Sequence, residues 1–245
     1  MKSFGMTDRG KVRAENQDSF VIEYIESRDC LAAVLCDGMG GANAGSVAST
    51  LASKTFMNYF VERIMASRAK NPDIKRHMTN ACRKANDIVY SYTRFDTNYD
   101  GMGTTLVAAA VTGSNVVLVN VGDSRAYVIS KKKITQLTRD HSYVQELVDK
   151  GIISAEKARS HPKKNMILRA LGAEEGVECD VFTYKLARGE QLLLCSDGLT
   201  NMLTDDEILS AAQTNKTPET FCKNLIELAL EAGANDNVTV VALSR

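Results

Sequence analysis

The sequence predicts an α+β fold in which helices pack on antiparallel β-sheets. Segments of strand and helix character come in blocks, whereas a parallel sheet would require them to alternate one by one. Four strand-like runs in the middle of the chain are separated by short turns, which is typical of an antiparallel meander. A shorter block of strands and helices then repeats the pattern.

The first block begins with two strands. Alternating apolar residues predict a half-buried strand at 19–25, and the unbroken run "CLAAVLC" predicts a buried strand at 30–36. Apolar residues at helical spacing then predict a long helix from residue 45, with Asn43 or Ser46 as its cap.

A second helix is predicted to begin near Pro72 and to pair with the first. The meander follows as "TTLVAAAVTG", "NVVLVNVGD", "RAYVIS" and "ITQLT", with "KKK" as the hairpin turn between the last two. The polar segment 141–172, interrupted by glycine and proline, is predicted to form short helices and loops.

The second block contains the predicted strands "VECDVFTYKL", "EQLLLCSDG" and "NVTVVALS". Between the last two lie predicted helices at 204–213 and 218–232. Thr204 and Glu207 have the spacing of a capping box, and Thr217 precedes a proline at the first helical position.

Composition narrows the class of protein. The 245 residues are 44% hydrophobic, which fits one globular domain spanning 1–245. Lysine plus arginine equals aspartate plus glutamate at 30 each, so no global basic field favours nucleic acid. There is no leader-like or membrane-spanning apolar run, so a cytoplasmic location without membrane insertion is expected. Six scattered cysteines without a C-x-x-C pair are expected to be buried thiols.

An aspartate stands at the boundary of a β-run four times. These residues are Asp37, Asp123, Asp197 and Asp236. A single one would be explained as a turn residue, but four after or before apolar runs indicate that the carboxylates converge. Converging carboxylates repel one another unless a cation neutralises them. Oxygen ligands without histidine or cysteine favour magnesium or manganese over zinc.

The glycines after Asp37 have a matching explanation. Gly38 lacks a Cβ, so its backbone can approach a metal ion closely and offer the carbonyl as a further ligand. A dinucleotide-binding fingerprint is excluded because Asn43 stands where its third glycine belongs, and a Walker phosphate loop is absent.

Eight pieces of the sequence match a known family in order and spacing. They are "TDRGKVRAENQDS", "DGMGG", "GMGTTL", "VGDSRAY", "LTRDHSYV", "HPKKNMILRALG", "LLLCSDGL" and "GANDNVTVV". Together they cover essentially the whole chain, which resembles the metal-dependent PP2C-type protein serine/threonine phosphatases and in particular their compact bacterial members. The resemblance implies a four-layer α-β-β-α sandwich of two antiparallel sheets flanked by helices, with a metal centre at one edge.

The resemblance also implies a ligand set for Mn²⁺ or Mg²⁺, with two ions in the core site and a third, weaker one. Asp37 would bridge the two core ions, and the carbonyl of Gly38 would complete the ligands of one. Asp197 and Asp236 would bind the other ion. Asp123 would serve the third ion, sharing it with Asp197.

Three further features follow from the resemblance. Asp18 would orient metal-bound water without itself touching a metal ion. Arg13 would bind the substrate phosphate, for which an arginine fork is suited. The segment 142–160 would form a flap beside the cleft and influence substrate choice.

Two positions depart from the animal enzymes. Gln17 replaces a metal-associated glutamate, so this contact would pass through water. Met39 replaces a histidine suspected as the general acid, and a thioether cannot donate a proton. His141 is a candidate replacement, although a structural role at the entry to a helix is the alternative. The other histidines, His77 and His161, stand at no metal-ligand spacing.

The function expected from this resemblance is hydrolysis of phosphoserine and phosphothreonine by a metal-bridged hydroxide, without a covalent phosphoenzyme. Expected partners are phosphorylated proteins, namely a serine/threonine kinase and its substrates, and a monomer is the default. Two alternatives stay open: a catalytically silent phosphoprotein-binding module, and a regulator dedicated to one phosphorylated anti-sigma-type antagonist. The sequence does not choose between manganese and magnesium.

Overall fold

The structure is a computed structural model that describes residues 1–41, 44–95, 99 and 101–245. Its strands are β1 (Lys2–Asp8), β2 (Asp18–Ile25), β3 (Cys30–Met39), β4 (Gly103–Thr104), β5 (Leu106–Thr112), β6 (Asn115–Val121), β7 (Arg125–Ile129), β8 (Ile134–Gln136), β9 (Asp180–Lys185), β10 (Gln191–Cys195) and β11 (Val238–Ser244). Its α-helices are α1 (Ala44–Ala66), α2 (Ile74–Phe95), α3 (Tyr143–Asp149), α4 (Ala155–Arg159), α5 (Asp197–Thr200), α6 (Asp205–Thr214) and α7 (Pro218–Glu231).

The strands form two antiparallel sheets. One sheet has the order β1-β11-β10-β7-β8, and the other has the order β2-β3-β5-β6-β9 with the short β4 paired to the end of β3. Neighbouring strands in both sheets run antiparallel, as the block pattern of the sequence predicts.

Side-chain alternation places the sheets between two helical layers. In β3, Ala32 and Val34 pack with α1 and α2, whereas Leu31 and Leu35 belong to the core between the two sheets. The other sheet buries its outer face, including Leu193, against α6 and α7. The predicted four-layer α-β-β-α sandwich is therefore confirmed.

The predicted meander is wrong as a single sheet. Strand β6 pairs with β9, whereas β7 pairs with β10 and β8, so the chain crosses from one sheet to the other between β6 and β7. Gly122 has a φ of +100° at this crossing, a conformation that glycine adopts with little strain. The crossing matters for the site because the next residue is Asp123.

The starts of several helices agree with the capping signals predicted from the sequence. Thr204 and Glu207 form a complete capping box, and the Thr217 side chain caps α7 ahead of Pro218. The second helix begins after Pro72, where the Asp73 carboxylate accepts the Arg76 N–H at 3.0 Å.

In the N-terminal half, the sequence patterns miss one strand and place the cap of α1 at Asn43 or Ser46. Strand β1 has no counterpart among the sequence predictions; only Phe4 and Met6 of this edge strand pack, partly buried, against the core of one helical layer. The proposed cap Asn43 lies outside the described residues, and Ser46 lies within α1 rather than before it.

The cysteine side chains and the hydropathy of the helices bear on two expectations from composition. All six cysteines are free; five are buried and Cys179 is half-buried. None of the described helices combines the length and the hydropathy needed to cross a bilayer.

Candidate metal centre and phosphate-binding site

The strand-end aspartates come together at one edge of the sandwich. Asp37 lies near the end of β3, and Asp123 lies on the crossing between the sheets. Asp197 is the first residue of α5 and is separated from the end of β10 by Ser196, and Asp236 lies just before β11. Since β3 and β10 belong to different sheets, the site is built where the two sheets meet.

The mutual repulsion of the carboxylates is visible in their pKa values. The pKa of Asp37 lies well above its ordinary value because of desolvation, and next because of the charges on Asp18 and Asp197. The pKa of Asp123 is raised well above its ordinary value by desolvation and then by the charge on Asp197. Desolvation and then Asp236 raise the pKa of Asp197, which is lowered in part by a hydrogen bond with Asp37.

Backbone contacts fix the position of Asp37. Its N–H donates to the Thr105 hydroxyl at 3.0 Å. Its carbonyl accepts from the Thr105 N–H at 2.9 Å and from the Thr104 hydroxyl at 2.8 Å. The carboxylate is therefore presented from a rigid strand end, as a preorganised ligand requires.

Gly38 is required by close packing against the start of α1. A Cβ at this position would lie 2.0 Å from the Gly45 carbonyl oxygen and 2.6 Å from the Gln17 carbonyl oxygen. The Gly38 N–H donates to that Gln17 carbonyl at 3.0 Å. Glycine at this position lets β3, α1 and the segment that carries Gln17 meet beside Asp37.

Asp18 lies beside Asp37 with one free oxygen. Its Oδ2 accepts from the Ser196 hydroxyl at 2.9 Å and from the Thr239 hydroxyl at 2.6 Å. Its Oδ1 is buried and has no hydrogen-bond partner among the described residues. Desolvation raises the pKa of Asp18 to about 7, against the opposing effect of the two hydroxyl groups.

Asp197 is held by two residues that the sequence analysis did not single out. Asn201, one helical turn later, donates from Nδ2 to Asp197 Oδ2 at 2.9 Å. Lys164 Nζ in turn donates to Asn201 Oδ1 at 3.1 Å. The i, i+4 spacing of Asp197 and Asn201 was the available sequence signal.

Arg13 and Asp236 form an ion pair. The Arg13 guanidinium donates to Asp236 Oδ2 at 2.7 Å, with the arginine side chain 53% exposed. The loop that carries Arg13 is tied down by Asn237, whose side chain donates to the Arg9 and Glu15 carbonyls at 2.8 Å. Asn237 also accepts the Gln17 N–H at 2.8 Å, a structural role that the "NDN" context alone did not reveal.

His141 is engaged away from the carboxylates. It is buried, and its Nδ1 accepts the Gly122 N–H at 3.1 Å. With Nδ1 as acceptor, the proton resides on Nε2, which lies 3.3 Å from Asp180 Oδ2. The contact with Gly122 favours the structural alternative, in which His141 supports the turn before Asp123.

A cleft of about 430 Å³ lies between part of this centre and the segment 142–160. Its lining includes Asp123 and Asp197 as well as Gln145 and Glu156 of that segment. The predicted flap, which contains α3 and α4, therefore borders the carboxylate cluster.

The donor set fits a hard divalent cation. As the side chains stand, no three acidic, histidine or cysteine side chains in the described ranges are grouped tightly enough to share one ion. The pKa shifts and the unpartnered Asp18 oxygen nevertheless show carboxylates held close enough to resist joint ionisation. A divalent cation would remove that repulsion, and the oxygen-only set suits magnesium or manganese.

Comparison with known proteins adds independent evidence. The protein phosphatase 2C family model matches residues 9–232. The serine/threonine phosphatase stp of Listeria monocytogenes serotype 4b is 39% identical over 240 residues, which span 98% of this chain and 94% of that protein.

Solved structures agree with this result. The crystal structure of the serine/threonine phosphatase Stp1 from Staphylococcus aureus superposes with a TM-score of 0.90 at 37% identity, covering 99% of this chain and 94% of that one. The catalytic domain of the phosphatase PstP in complex with two manganese ions gives a TM-score of 0.84 at 36% identity, covering 98% and 96% of the two chains. With matches over nearly its whole length in sequence and in structure, this chain belongs to the protein phosphatase 2C family of serine/threonine phosphatases.

Proposed function

We propose that this chain removes phosphate from phosphoserine and phosphothreonine in proteins, with divalent metal ions held by the aspartate cluster. The observation that carries the proposal is the meeting of carboxylates from both sheets beside an exposed arginine that already binds one of them. Membership of the protein phosphatase 2C family supports the same reaction.

The proposed ligands fall on two sides of the site. Asp37 would be shared by the two ions, the Gly38 carbonyl would complete the ligands of one, and Asp197 and Asp236 would hold the other. When bound, such ions supply an activated water as nucleophile and neutralise charge on the phosphoryl group. A third, weaker ion would be held by Asp123 and Asp197, which line the same cleft.

Arg13 is proposed to bind the substrate phosphate. Its guanidinium presents several N–H donors that suit a phosphoryl dianion. In the structure one of these donors is taken by Asp236. Engagement of Asp236 by an ion would free that donor, so metal binding and phosphate binding are expected to support each other.

The unpartnered oxygen of Asp18 gives this residue its proposed role. Asp18 Oδ1 is buried and can accept one hydrogen bond, while Oδ2 is fixed by two hydroxyl groups. A carboxylate held in this way can orient a water molecule at the site.

The proton for the leaving group is proposed to come from solvent in the cleft. Met39 has no proton to donate, and the nitrogens of His141 are engaged with Gly122 and Asp180. The substrates proposed are phosphoproteins produced by a serine/threonine kinase, with the flap segment 142–160 contributing to their selection.

The experiment is phosphate release from a phosphothreonine peptide by metal-stripped protein supplied with manganese, magnesium or chelator. Turnover is expected only with added metal. Asp197→Asn is expected to lose about 100-fold or more in turnover, while Asp206→Asn, an exposed acid of α6, serves as the matched control. Folded protein that releases no phosphate with any metal would instead favour a silent phosphoprotein-binding module.

A further inference from the structure

A chain of two hydrogen bonds connects a lysine beside the flap to a proposed metal ligand. Lys164 Nζ lies 3.1 Å from Asn201 Oδ1, and Asn201 Nδ2 lies 2.9 Å from Asp197 Oδ2. Lys164 and Asn201 are both half-buried, and both line the cleft next to Asp197.

The chemistry of the partners permits only one orientation of the Asn201 amide. A lysine ammonium can only donate, so the amide oxygen has to face Lys164. An ionised carboxylate can only accept, so the amide nitrogen has to face Asp197. The ammonium also polarises the amide and thereby strengthens its N–H bond to the carboxylate.

We propose that Lys164 and Asn201 are positioning residues that set the affinity of Asp197 for a divalent ion. This two-bond relay, from Lys164 through Asn201, holds Asp197 Oδ2 in place, so the ligand does not have to be ordered on binding. This inference rests on the proposed function, because it takes Asp197 to be a metal ligand.

The relay also connects the flap to the metal centre. Lys164 belongs to the segment 160–168, which is bonded to the start of α3: the Tyr143 N–H donates to the Met166 carbonyl at 2.8 Å, and the Leu168 N–H donates to the His141 carbonyl at 2.8 Å. Displacement of the flap would therefore pull on Lys164. By linkage, an ion at Asp197 should in turn hold the flap in place.

Direct charge repulsion and the relay predict opposite changes in metal affinity when Lys164 is neutralised, which makes the proposal testable. Removing a cation from the neighbourhood of a divalent ion lowers repulsion and should tighten ion binding. Loss of the relay should weaken ion binding. A weaker affinity after neutralising Lys164 can therefore be assigned to the hydrogen bonds.

The experiment measures Mn²⁺ affinity by titration calorimetry on metal-stripped protein at one fixed pH. Asn201→Ala is expected to raise the Kd about tenfold, and Lys164→Met about threefold or more. The double variant should bind no more weakly than Asn201→Ala alone, because Lys164 acts through Asn201. Lys164→Arg, which retains a donor, should restore most of the affinity.

Lys163→Met is the matched control. Lys163 is exposed, and its ammonium lies 5.2 Å from the centre of the Tyr143 ring rather than in the relay. A second readout is limited proteolysis of segment 142–160. Mn²⁺ should slow cleavage there in the wild type and in Lys163→Met, but much less in Lys164→Met.

The outcomes separate the inference from the proposed function. Wild-type protein that binds no Mn²⁺ overturns the proposed function itself. If the wild type binds Mn²⁺ and Lys164→Met binds it equally well or more tightly, only the relay is wrong. Additive effects of the two substitutions on the binding free energy would likewise overturn the relay, since the effects of independent residues add.

Discussion

Asp18 and Asp37 lie directly opposite each other on the paired strands β2 and β3. Directly opposed residues of an antiparallel pair project from the same face of the sheet, so two carboxylates stand side by side. Asp18 Oδ1 has no hydrogen-bond partner in the described part of the chain. The site therefore stores electrostatic repulsion that a bound cation can relieve.

Asp18→Asn should stabilise the metal-free protein while weakening its Mn²⁺ binding. The amide oxygen can accept from Ser196 and Thr239 as Oδ2 does, and the charge is gone. The pKa of Asp18 is raised from 3.8 to about 7, so its ionisation opposes folding increasingly as the pH rises between these values. We expect a gain in unfolding free energy of about 1–3 kcal/mol at pH 8.

Urea unfolding of metal-free wild type and Asp18→Asn across this pH range checks the prediction. The gain should be smallest near pH 4 and should level off above pH 7. A gain that does not vary with pH would show that charge is not its source.

Arg13→Ala should separate substrate binding from metal binding. Loss of the guanidinium is expected to raise the KM for a phosphopeptide about tenfold. Because Arg13 also pairs with Asp236, its removal should tighten Mn²⁺ binding by no more than about fivefold, as expected for an exposed ion pair. Steady-state kinetics and calorimetry measure the two effects, with the exposed Lys11→Ala as control. Weaker Mn²⁺ binding in Arg13→Ala would contradict the idea that Arg13 and the ion compete for Asp236.

Much of the fold was predictable because its signals are local. The buried run of β3 and the capping box of Thr204 depend on neighbouring residues alone. The crossing between the sheets was not predictable, because β6 and β7 follow each other closely and have the same apolar character. Only pairing with β9 and β10, far along the chain, decides which sheet each strand joins.

The candidate site divides in the same way. The four strand-end aspartates were recognisable because a carboxylate after an apolar run is costly without a partner. Arg13 and Asp18 were identified from the family resemblance. Lys164 and Asn237 were not predictable, because an exposed-looking lysine and an asparagine carry no periodic signal and act only through contacts made in three dimensions.

Gly38→Ala should destabilise the protein by about 3 kcal/mol. The added Cβ would lie 2.0 Å from the Gly45 carbonyl oxygen, so β3 and α1 would have to separate. Gly41→Ala is the matched control, because a Cβ there would meet no atom of the described residues within 4 Å. It should change stability by no more than about 0.5 kcal/mol. Chemical unfolding measures both variants, and equal losses would refute the packing explanation.

His141→Asn should reduce the loss of stability at acidic pH and retain turnover. Burial is the largest effect on His141 and lowers its pKa below 6.5. Asp180 raises the pKa in part, and the neighbouring arginines lower it. A histidine with a lowered pKa binds its proton more readily when unfolded, so its contribution is present above pH 6.5 and is lost as the pH falls through the folded value. Protonation of Nδ1 would also break its hydrogen bond from the Gly122 N–H.

Asparagine is the informative substitution because its side-chain oxygen can accept that N–H without titrating. The pH dependence of unfolding free energy should become shallower below pH 6.5, by up to about 1.4 kcal/mol per pH unit. We expect phosphate release at pH 8 to be retained, because the role proposed for the histidine is to support the turn before Asp123 rather than to act as the general acid. If His141→Asn keeps wild-type stability but loses turnover, a structural role beside Gly122 cannot explain the loss. His141 would then take part in the reaction.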